Sequence, residues 1–327
     1  MSQGIGYGKI ILFGEHFVVY ECPAIALGIS NKAIVEIKKL DGITKLDESN
    51  KLNETNHLNE PNKSNETIKP ELKYTSDTPG TIPELTTKAI RNVLNAMNVK
   101  DSFHVHLSGD LATSGGLGSS AAFCVALARA LNEEYNLNLT NEQINNYAYE
   151  GEKAFHGNPS GVDNAMATYG GAIKFVRGKG FEQIKIGSEL NFVVGITGIN
   201  SPTARMVESV KKFKDKNLKI FDNLLHSATS IIEKGQHALE NGDLVAIGNL
   251  MNANQDLLSA IGVSTDRNER IIAIANQEGA VGAKVTGGGG GGCCIALARD
   301  ETHAQEILNK IKEAGFNGFI TKVQKTS

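Results

Sequence analysis

The chain has few cysteines, and their arrangement excludes two kinds of framework. Its 327 residues contain four, Cys22, Cys124, Cys293 and Cys294. None forms a CxxC pair, so the sequence indicates neither a zinc site nor a set of disulfides. We expect small, buried, reduced cysteines, which are typical of a cytoplasmic protein.

Long apolar runs and a strong charge of one sign are also missing. No apolar run approaches the roughly 18 residues that a transmembrane helix needs. The N-terminus does not open with the charged and then apolar segment of a secretory signal. The net charge of −3 argues against a general nucleic-acid binder, which has a basic face. We therefore expect no membrane partner and no nucleic-acid partner.

Two common nucleotide-binding signatures are absent as well. The sequence has no Walker A pattern. No GxGxxG lies on an early strand–helix turn with an acidic residue downstream, which argues against a Rossmann dehydrogenase.

A different glycine loop is present. Residues 115–122 read GGLGSSAA and pass directly into an apolar helical run, residues 121–131. Glycines leave backbone N–H groups accessible, and the start of a helix carries about half a positive charge. Together these features are typical of a phosphate site, formed by Gly115, Gly116, Leu117, Gly118, Ser119 and Ser120. Taken alone, the segment can also be a simple turn with Ser119 or Ser120 as the N-cap.

The remaining pattern is α+β, with one segment that stands apart. Residues 46–69 hold four near-copies of an Asn/Glu-rich six-residue unit, which we interpret as a mobile surface insertion because it has little apolar surface to bury. Strand-like spacing covers Lys9–Val19, and a capping box at Thr140 and Gln143 begins a predicted helix, Asn141–His156. The polar, glycine-rich stretch 178–187 predicts a boundary between domains 1–180 and 181–327.

Three more segments carry residues suited to chemistry. Lys9 lies inside an apolar strand, where a lysine must reach solvent or find an anion. Glu152 and Asp163 flank a Gly/Pro loop that can bring both carboxylates to one pocket, although Glu152 can also be a solvated side chain and Asp163 a helix start. Thr286 precedes six glycines, Gly287–Gly292, whose bare main chain can lie against a ligand or another backbone.

These segments together resemble one family. GKIILFGEHFVVY, GGLGSSAA, HGNPSGVDN and KVTGGGGGGCC occur in the order typical of the GHMP small-molecule kinases, and their detail is most similar to the mevalonate kinase branch. Galactokinases carry a GEHTDY-like continuation that this chain lacks, and homoserine kinases usually lack the aspartate that matches Asp163. The Asn-rich insertion departs from the family pattern.

The resemblance implies a two-domain fold. An N-terminal α+β domain with a left-handed βαβ unit packs against a C-terminal ferredoxin-like α/β sandwich, and ATP lies in the cleft between them. Left-handed crossovers are exceptions to the general rule, so pattern alone does not predict this one. Whether two chains associate as a homodimer is left open.

The resemblance also implies an activity and residue roles. ATP phosphorylates (R)-mevalonate to (R)-5-phosphomevalonate, a step towards isoprenoids, with Asp163 as general base and Lys9 as its partner. The backbone of residues 115–120 would hold the triphosphate. The remaining expected roles are Mg²⁺ binding by Ser120, or less favourably Ser119, with Glu152, and substrate binding by Glu15, His16, Thr197, Gly288 and Gly289.

Two alternatives fit the same motifs. One is another small-molecule kinase acting on phosphomevalonate or a galactose-type sugar, although no basic cluster for a second phosphate lies near the motifs. The other is a non-catalytic regulator that binds nucleotide and sugar. Such a relative can lose its base or metal ligand, whereas Lys9, Glu152 and Asp163 are all present.

Overall fold

The computed structural model describes residues 1–40, 71–78, 83–112, 116–157, 159–199 and 202–326. The predicted insertion, residues 46–69, lies outside the described residues, as does Gly115 of the glycine loop. The described residues contain helices together with two separate sheets, so the predicted α+β class is confirmed.

A six-stranded sheet forms the N-terminal half. Its strands are β1 (Ser2–Phe13), β2 (Ala24–Lys39), β3 (Leu72–Ser76), β4 (Phe103–Gly109), β5 (Ala172–Val176) and β6 (Gly180–Ile184). The sheet order is β3-β4-β2-β5-β6, and β1 pairs with β2 in antiparallel register. Strands β3 and β4 are parallel and are joined through α1 (Pro83–Ala96), which makes a βαβ unit. Its left-handedness stays a prediction.

Three helices of this half carry further candidate residues. They are α2 (Ser119–Glu134), α3 (Asn141–His156) and α4 (Val162–Tyr169). Helix α2 approaches β1 very closely, because a Cβ at Gly6 would lie 1.9 Å from the carbonyl oxygen of Ala122. The predicted capping box of α3 is confirmed, since Thr140 and Gln143 exchange side-chain and backbone hydrogen bonds.

A four-stranded antiparallel sheet forms the C-terminal half, in the order β10-β7-β9-β8. These strands are β7 (Leu190–Ile196), β8 (Gly282–Thr286), β9 (Cys293–Ala298) and β10 (Asn317–Val323). Between β7 and β8 run α5 (Thr203–Lys216), α6 (Leu218–Asn241), α7 (Leu244–Ala260) and α8 (Asp266–Gln277), and α9 (Glu301–Glu313) joins β9 to β10. This β-α-β-β-α-β sequence is the predicted ferredoxin-like arrangement.

Two sequence predictions differ from the structure. The predicted strand Lys9–Val19 is wrong at both ends, because β1 begins at Ser2 and ends at Phe13. Gly14 turns the chain with a φ of 94°, and Phe17–Tyr20 forms a short 3-10 helix. The polar stretch 178–187 contains β6, which pairs with β5 in the first sheet. None of the described helices is both long and apolar enough to cross a membrane.

Candidate active site

A cavity of about 1120 Å³ lies between the two halves of the molecule. Both contribute to its wall, the N-terminal half through β1, α2 and α4 and the C-terminal half through the glycine loop after β8. The predicted site residues in this wall are Lys9, Glu15, His16, Gly116, Leu117, Gly118, Ser119, Ser120, Asp163, Gly288 and Gly289. The tertiary structure therefore brings most of the candidate residues to one place.

Lys9 and Asp163 form an ion pair in this wall. Lys9 lies on β1 and Asp163 in the first turn of α4, and Lys9 Nζ is 3.1 Å from Asp163 Oδ1. The lysine side chain is 6% exposed and that of the aspartate 35%. Because a lysine in an apolar strand needs an anionic partner when it points inward, Asp163 accounts for the burial of Lys9. The more accessible carboxylate can still receive a ligand.

The glycine loop lies directly against this pair. Gly118 precedes α2 with a φ of 74°, and a Cβ there would lie 3.0 Å from Lys9 Cγ and 3.9 Å from Asp163 Cβ. The backbone of β1 is joined to the same loop, since Lys9 N donates to Leu117 O at 2.9 Å. The positive end of α2 thus starts beside the Lys9–Asp163 pair, where an anionic phosphate is favoured.

A buried carboxylate lies behind the start of α2. Ser120 Oγ donates to Glu152 Oε1 at 2.8 Å, and Glu152 is 1% exposed. Burial raises the pKa of Glu152 to about 8; the Ser120 hydrogen bond opposes this rise and the nearby Asp163 charge adds to it.

The same carboxylate has unused binding capacity. Its second oxygen, Oε2, has no hydrogen-bond partner among the described residues. A buried, unpartnered carboxylate oxygen beside a serine hydroxyl suits a hard divalent cation, which prefers oxygen ligands. Within the described ranges, no group of three or more His, Cys, Asp and Glu side chains could hold a metal by itself.

The loop of six glycines closes the opposite side. A Cβ at Gly116 would lie 3.7 Å from Gly287 Cα, so the two glycine loops are neighbours. Thr197 does not line the cavity but contacts the far end of this loop. It is fully buried, and its Oγ1 donates to Gly292 O at 2.9 Å. Arg267 Nε in turn donates to Thr197 O at 2.7 Å. Thr197 thus contacts the glycine loop from behind.

Glu15 and His16 occupy the remaining wall and are both buried. His16 Nε2 donates to Gly288 O at 2.9 Å, and burial lowers the pKa of His16 against the opposing effect of that carbonyl. Glu15 pairs with Lys284 of β8, and both side chains are fully buried. Burial raises the pKa of Glu15, and the charge of Lys284 counteracts the rise.

Sequence reasoning missed two cationic residues. Lys284 could have been selected from the sequence, because it lies in an apolar strand just as Lys9 does. Arg177, which lines the cavity just after β5, follows no recognisable spacing. Its position becomes visible only when β5 pairs with β2.

Comparison with known proteins agrees with this architecture. The family described as "GHMP kinases N terminal domain" matches residues 84–171, and "GHMP kinases C terminal" matches residues 236–317. The chain is also 33% identical to a mevalonate kinase of Thermococcus gammatolerans, over 97% of this chain and 94% of that protein. The chain belongs to the GHMP kinase family. A mevalonate kinase of Pyrococcus furiosus is similar to this GHMP kinase at the same identity and coverage.

Solved structures extend the likeness to three dimensions. This GHMP kinase is similar to the L. major mevalonate kinase in complex with R-mevalonate, with 37% identity and a TM-score of 0.86. The match covers 100% of this chain and 97% of that one. The Methanococcus jannaschii mevalonate kinase matches with 26% identity and a TM-score of 0.78, over 99% and 98% of the two chains. The two-domain GHMP kinase fold is therefore that of this chain.

Proposed function

We propose that this GHMP kinase transfers the γ-phosphoryl group of ATP to the C5 hydroxyl of (R)-mevalonate, giving (R)-5-phosphomevalonate and ADP. The observation that carries the proposal is the Lys9–Asp163 ion pair packed against Gly118 at the start of α2. A carboxylate and an ammonium thus lie beside the loop that we propose binds phosphate. The names of the similar proteins support mevalonate as the acceptor.

The nucleotide phosphates lie along the first glycine loop in this proposal. Residues 116–120 lead into the positive end of α2, whose first backbone N–H groups favour a phosphate. Phosphoryl transfer needs charge neutralisation and in-line alignment more than covalent chemistry by the protein. The backbone of this loop, together with Lys9 beside it, would contribute to both.

Ser120 and Glu152 are the residues that would hold Mg²⁺. The free Oε2 of Glu152 and the Ser120 hydroxyl are oxygen ligands, and a cation offsets the burial that raises the pKa of this carboxyl. Bound Mg²⁺ supplies neutralisation of the phosphate oxygens. The ligand role of this pair explains why an acidic side chain is buried beside Asp163.

Asp163 and Lys9 act on the acceptor hydroxyl. As the bond from the C5 oxygen to the γ-phosphorus forms and the bond to the β-phosphate oxygen breaks, the hydroxyl proton passes to Asp163. Lys9 keeps this carboxylate oriented from 3.1 Å and stabilises the negative charge that develops on the transferred group. General-base assistance of this kind is worth about 10²–10⁴-fold in rate.

The acceptor lies between the remaining walls of the cavity. Glu15 and His16 line it from the N-terminal half, and Gly288 and Gly289 from the C-terminal half. Mevalonate carries a carboxylate, and Arg177, which lines the same cavity, provides a guanidinium that can bind a carboxylate in bidentate fashion.

A panel of acceptors tests this function. Purified protein with MgATP is given mevalonate, phosphomevalonate, galactose and homoserine, ADP release is followed, and the product is identified by phosphorus NMR. We expect mevalonate to have the highest kcat/KM and its product to be a C5 monophosphate. Faster turnover of phosphomevalonate or galactose would replace the proposed acceptor. Nucleotide binding without ADP release for any acceptor would favour a non-catalytic regulator.

A further inference from the structure

One row of contacts joins β8 and the following glycine loop to the N-terminal domain. Lys284 Nζ donates to the Glu15 carboxylate, and Thr286 Oγ1 donates to Ile11 O at 3.0 Å and accepts from Ile11 N at 2.9 Å. Gly288 O accepts from His16 at 2.9 Å. We call Lys284, Thr286 and Gly288 the β8 clasp. Lys284 and Thr286 are alternate residues of β8 and lie on the same side of the strand, and Gly288 follows in the glycine loop.

The clasp meets the N-terminal domain at an unusual turn. Phe17 N donates to Glu15 O at 2.6 Å, and His16 between them has φ 61° and ψ −42°. This is a γ-turn with a positive φ at a non-glycine residue, a rare and strained conformation. Such conformations persist only where the surrounding structure holds them. Here Lys284 holds Glu15, and Gly288 holds His16.

Lys284 is completely buried, which is rare for a lysine. Its side chain is 0% exposed, and its ammonium also donates to Val285 O at 2.6 Å. Apolar side chains commonly fill such a space at least as favourably as a buried ion pair does. The partner, Glu15, lines the cavity, and its Oε2 has no hydrogen-bond partner among the described residues. One partner of this ion pair is therefore part of the cavity wall.

We propose that Lys284 is a positioning residue for the acceptor side of the cavity. It holds the Glu15 carboxylate and, through it, the Glu15–Phe17 turn in the form that receives the acceptor molecule. The nucleotide side, residues 116–120, lies on a different element, so we expect the loss of this contact to affect the acceptor more than the nucleotide. The proposal rests on the proposed kinase function.

A double-mutant cycle tests it. The variants are Lys284→Met, Glu15→Gln and the double variant, each compared with the wild type for the KM of mevalonate and of MgATP. We expect Lys284→Met to raise the KM of mevalonate about ten- to a hundredfold, the range for lost hydrogen bonds from charged groups, with little change for MgATP. Because Lys284 acts through Glu15, the double variant should have the mevalonate KM of Glu15→Gln alone.

Asn252→Ala is the matched control. Asn252 Oδ1 accepts from Ala283 N on the same strand at 2.9 Å, next to Lys284, but Asn252 does not line the cavity. A purely structural role for Lys284 would make Lys284→Met behave like this control, with a lower melting temperature and an unchanged mevalonate KM. That result, or additive KM effects in the cycle, would overturn the proposal.

Two further outcomes, a variant that does not fold and an acceptor other than mevalonate, can be distinguished from a failure of the proposal. If Lys284→Met does not fold because Glu15 is left without its partner, Lys284→Gln, which keeps a hydrogen-bond donor for Glu15, takes its place. A raised mevalonate KM with little change for MgATP then supports the proposal, and an unchanged mevalonate KM overturns it. If the wild type does not phosphorylate mevalonate, the proposed acceptor is wrong. The cycle is then measured with the acceptor that the panel identifies, and the same KM criteria decide the role of Lys284.

Discussion

Gly118 and Lys9 are packed so closely that a Cβ on residue 118 would lie 3.0 Å from Lys9 Cγ. Gly118 also has a left-handed φ of 74°. This contact joins the proposed phosphate loop to the Lys9–Asp163 pair, because Asp163 Cβ lies 3.9 Å from the same position. A side chain at residue 118 therefore acts on the loop and on the ion pair at once.

Gly118→Ala tests this relationship. The substitution strains the backbone by about 1–2 kcal/mol and pushes Lys9 away from Asp163, so we expect kcat to fall more than tenfold. Gly262→Ala is the control, since Gly262 has a similar φ of 77° but no atom within 4 Å of its added Cβ. If the two variants have comparable melting temperatures but Gly118→Ala has the lower kcat, the contact with Lys9 and not backbone strain causes the loss. Equal kcat values for the two variants would contradict this role of the contact.

The Lys9–Asp163 pair should carry the largest share of the chemistry. We expect Asp163→Asn and Lys9→Met each to lower kcat by about 10²–10⁴-fold, because both act on the reacting hydroxyl. ADP release at saturating substrates measures the loss, and circular dichroism checks the fold. Lys39→Met and Asp101→Asn are controls, since these residues form an exposed ion pair of the same 3.1 Å separation. Near-normal turnover in both active-site variants would remove the pair from the chemistry.

Glu152 should make stability depend on pH and on metal. Its pKa rises from 4.5 to about 8 on folding, so between these values the folded protein binds more protons than the unfolded chain. The contribution of Glu152 to the free energy of unfolding is then fully present below the unfolded pKa of 4.5 and is lost as pH rises through about 8. Without metal, the melting temperature of the wild type should fall relative to Glu152→Gln across this window.

Metal addition gives the second half of that test. Mg²⁺ favours the charged carboxylate, so it should raise the wild-type melting temperature more at about pH 8.5 than at about pH 6. Ser120→Ala should weaken this effect, whereas Ser188→Ala, whose hydroxyl contacts Gly242 O, should leave it unchanged. Parallel melting curves for the wild type and Glu152→Gln at every pH would show that burial does not perturb Glu152.

Thr197 should matter for stability more than for the acceptor. Thr197→Val removes the hydrogen bond to Gly292 O, so we expect a loss of about 1 kcal/mol in the free energy of unfolding. The KM of mevalonate should change little, because Thr197 is fully buried behind the loop. Thermal unfolding and acceptor kinetics measure the two effects, with Thr197→Ser as the control that keeps the hydroxyl. A large rise in acceptor KM with normal stability would restore Thr197 to the substrate pocket.

Local features were predictable where a short segment determines its own conformation. The capping box at Thr140 forms within four residues, and the apolar run after Ser119 is helical as predicted. The end of β1 was not predictable, since Phe17–Tyr20 is apolar and β-branched like a strand. The turn there depends on Gly14 and on contacts with β8, which are remote in sequence.

The amino-acid sequence alone determined which chemical groups are present and in which local setting: a glycine loop before a helix, a lysine in an apolar strand, two carboxylates around a Gly/Pro loop. Only the tertiary structure decided which of them meet. Lys9 reaches Asp163 because α4 packs against β1, and Glu15 reaches Lys284, 269 positions away, where β8 of the second sheet meets the N-terminal half. Partner choice of this kind depends on burial and on the approach of distant backbones, as at Gly118, and neither is encoded in any one segment.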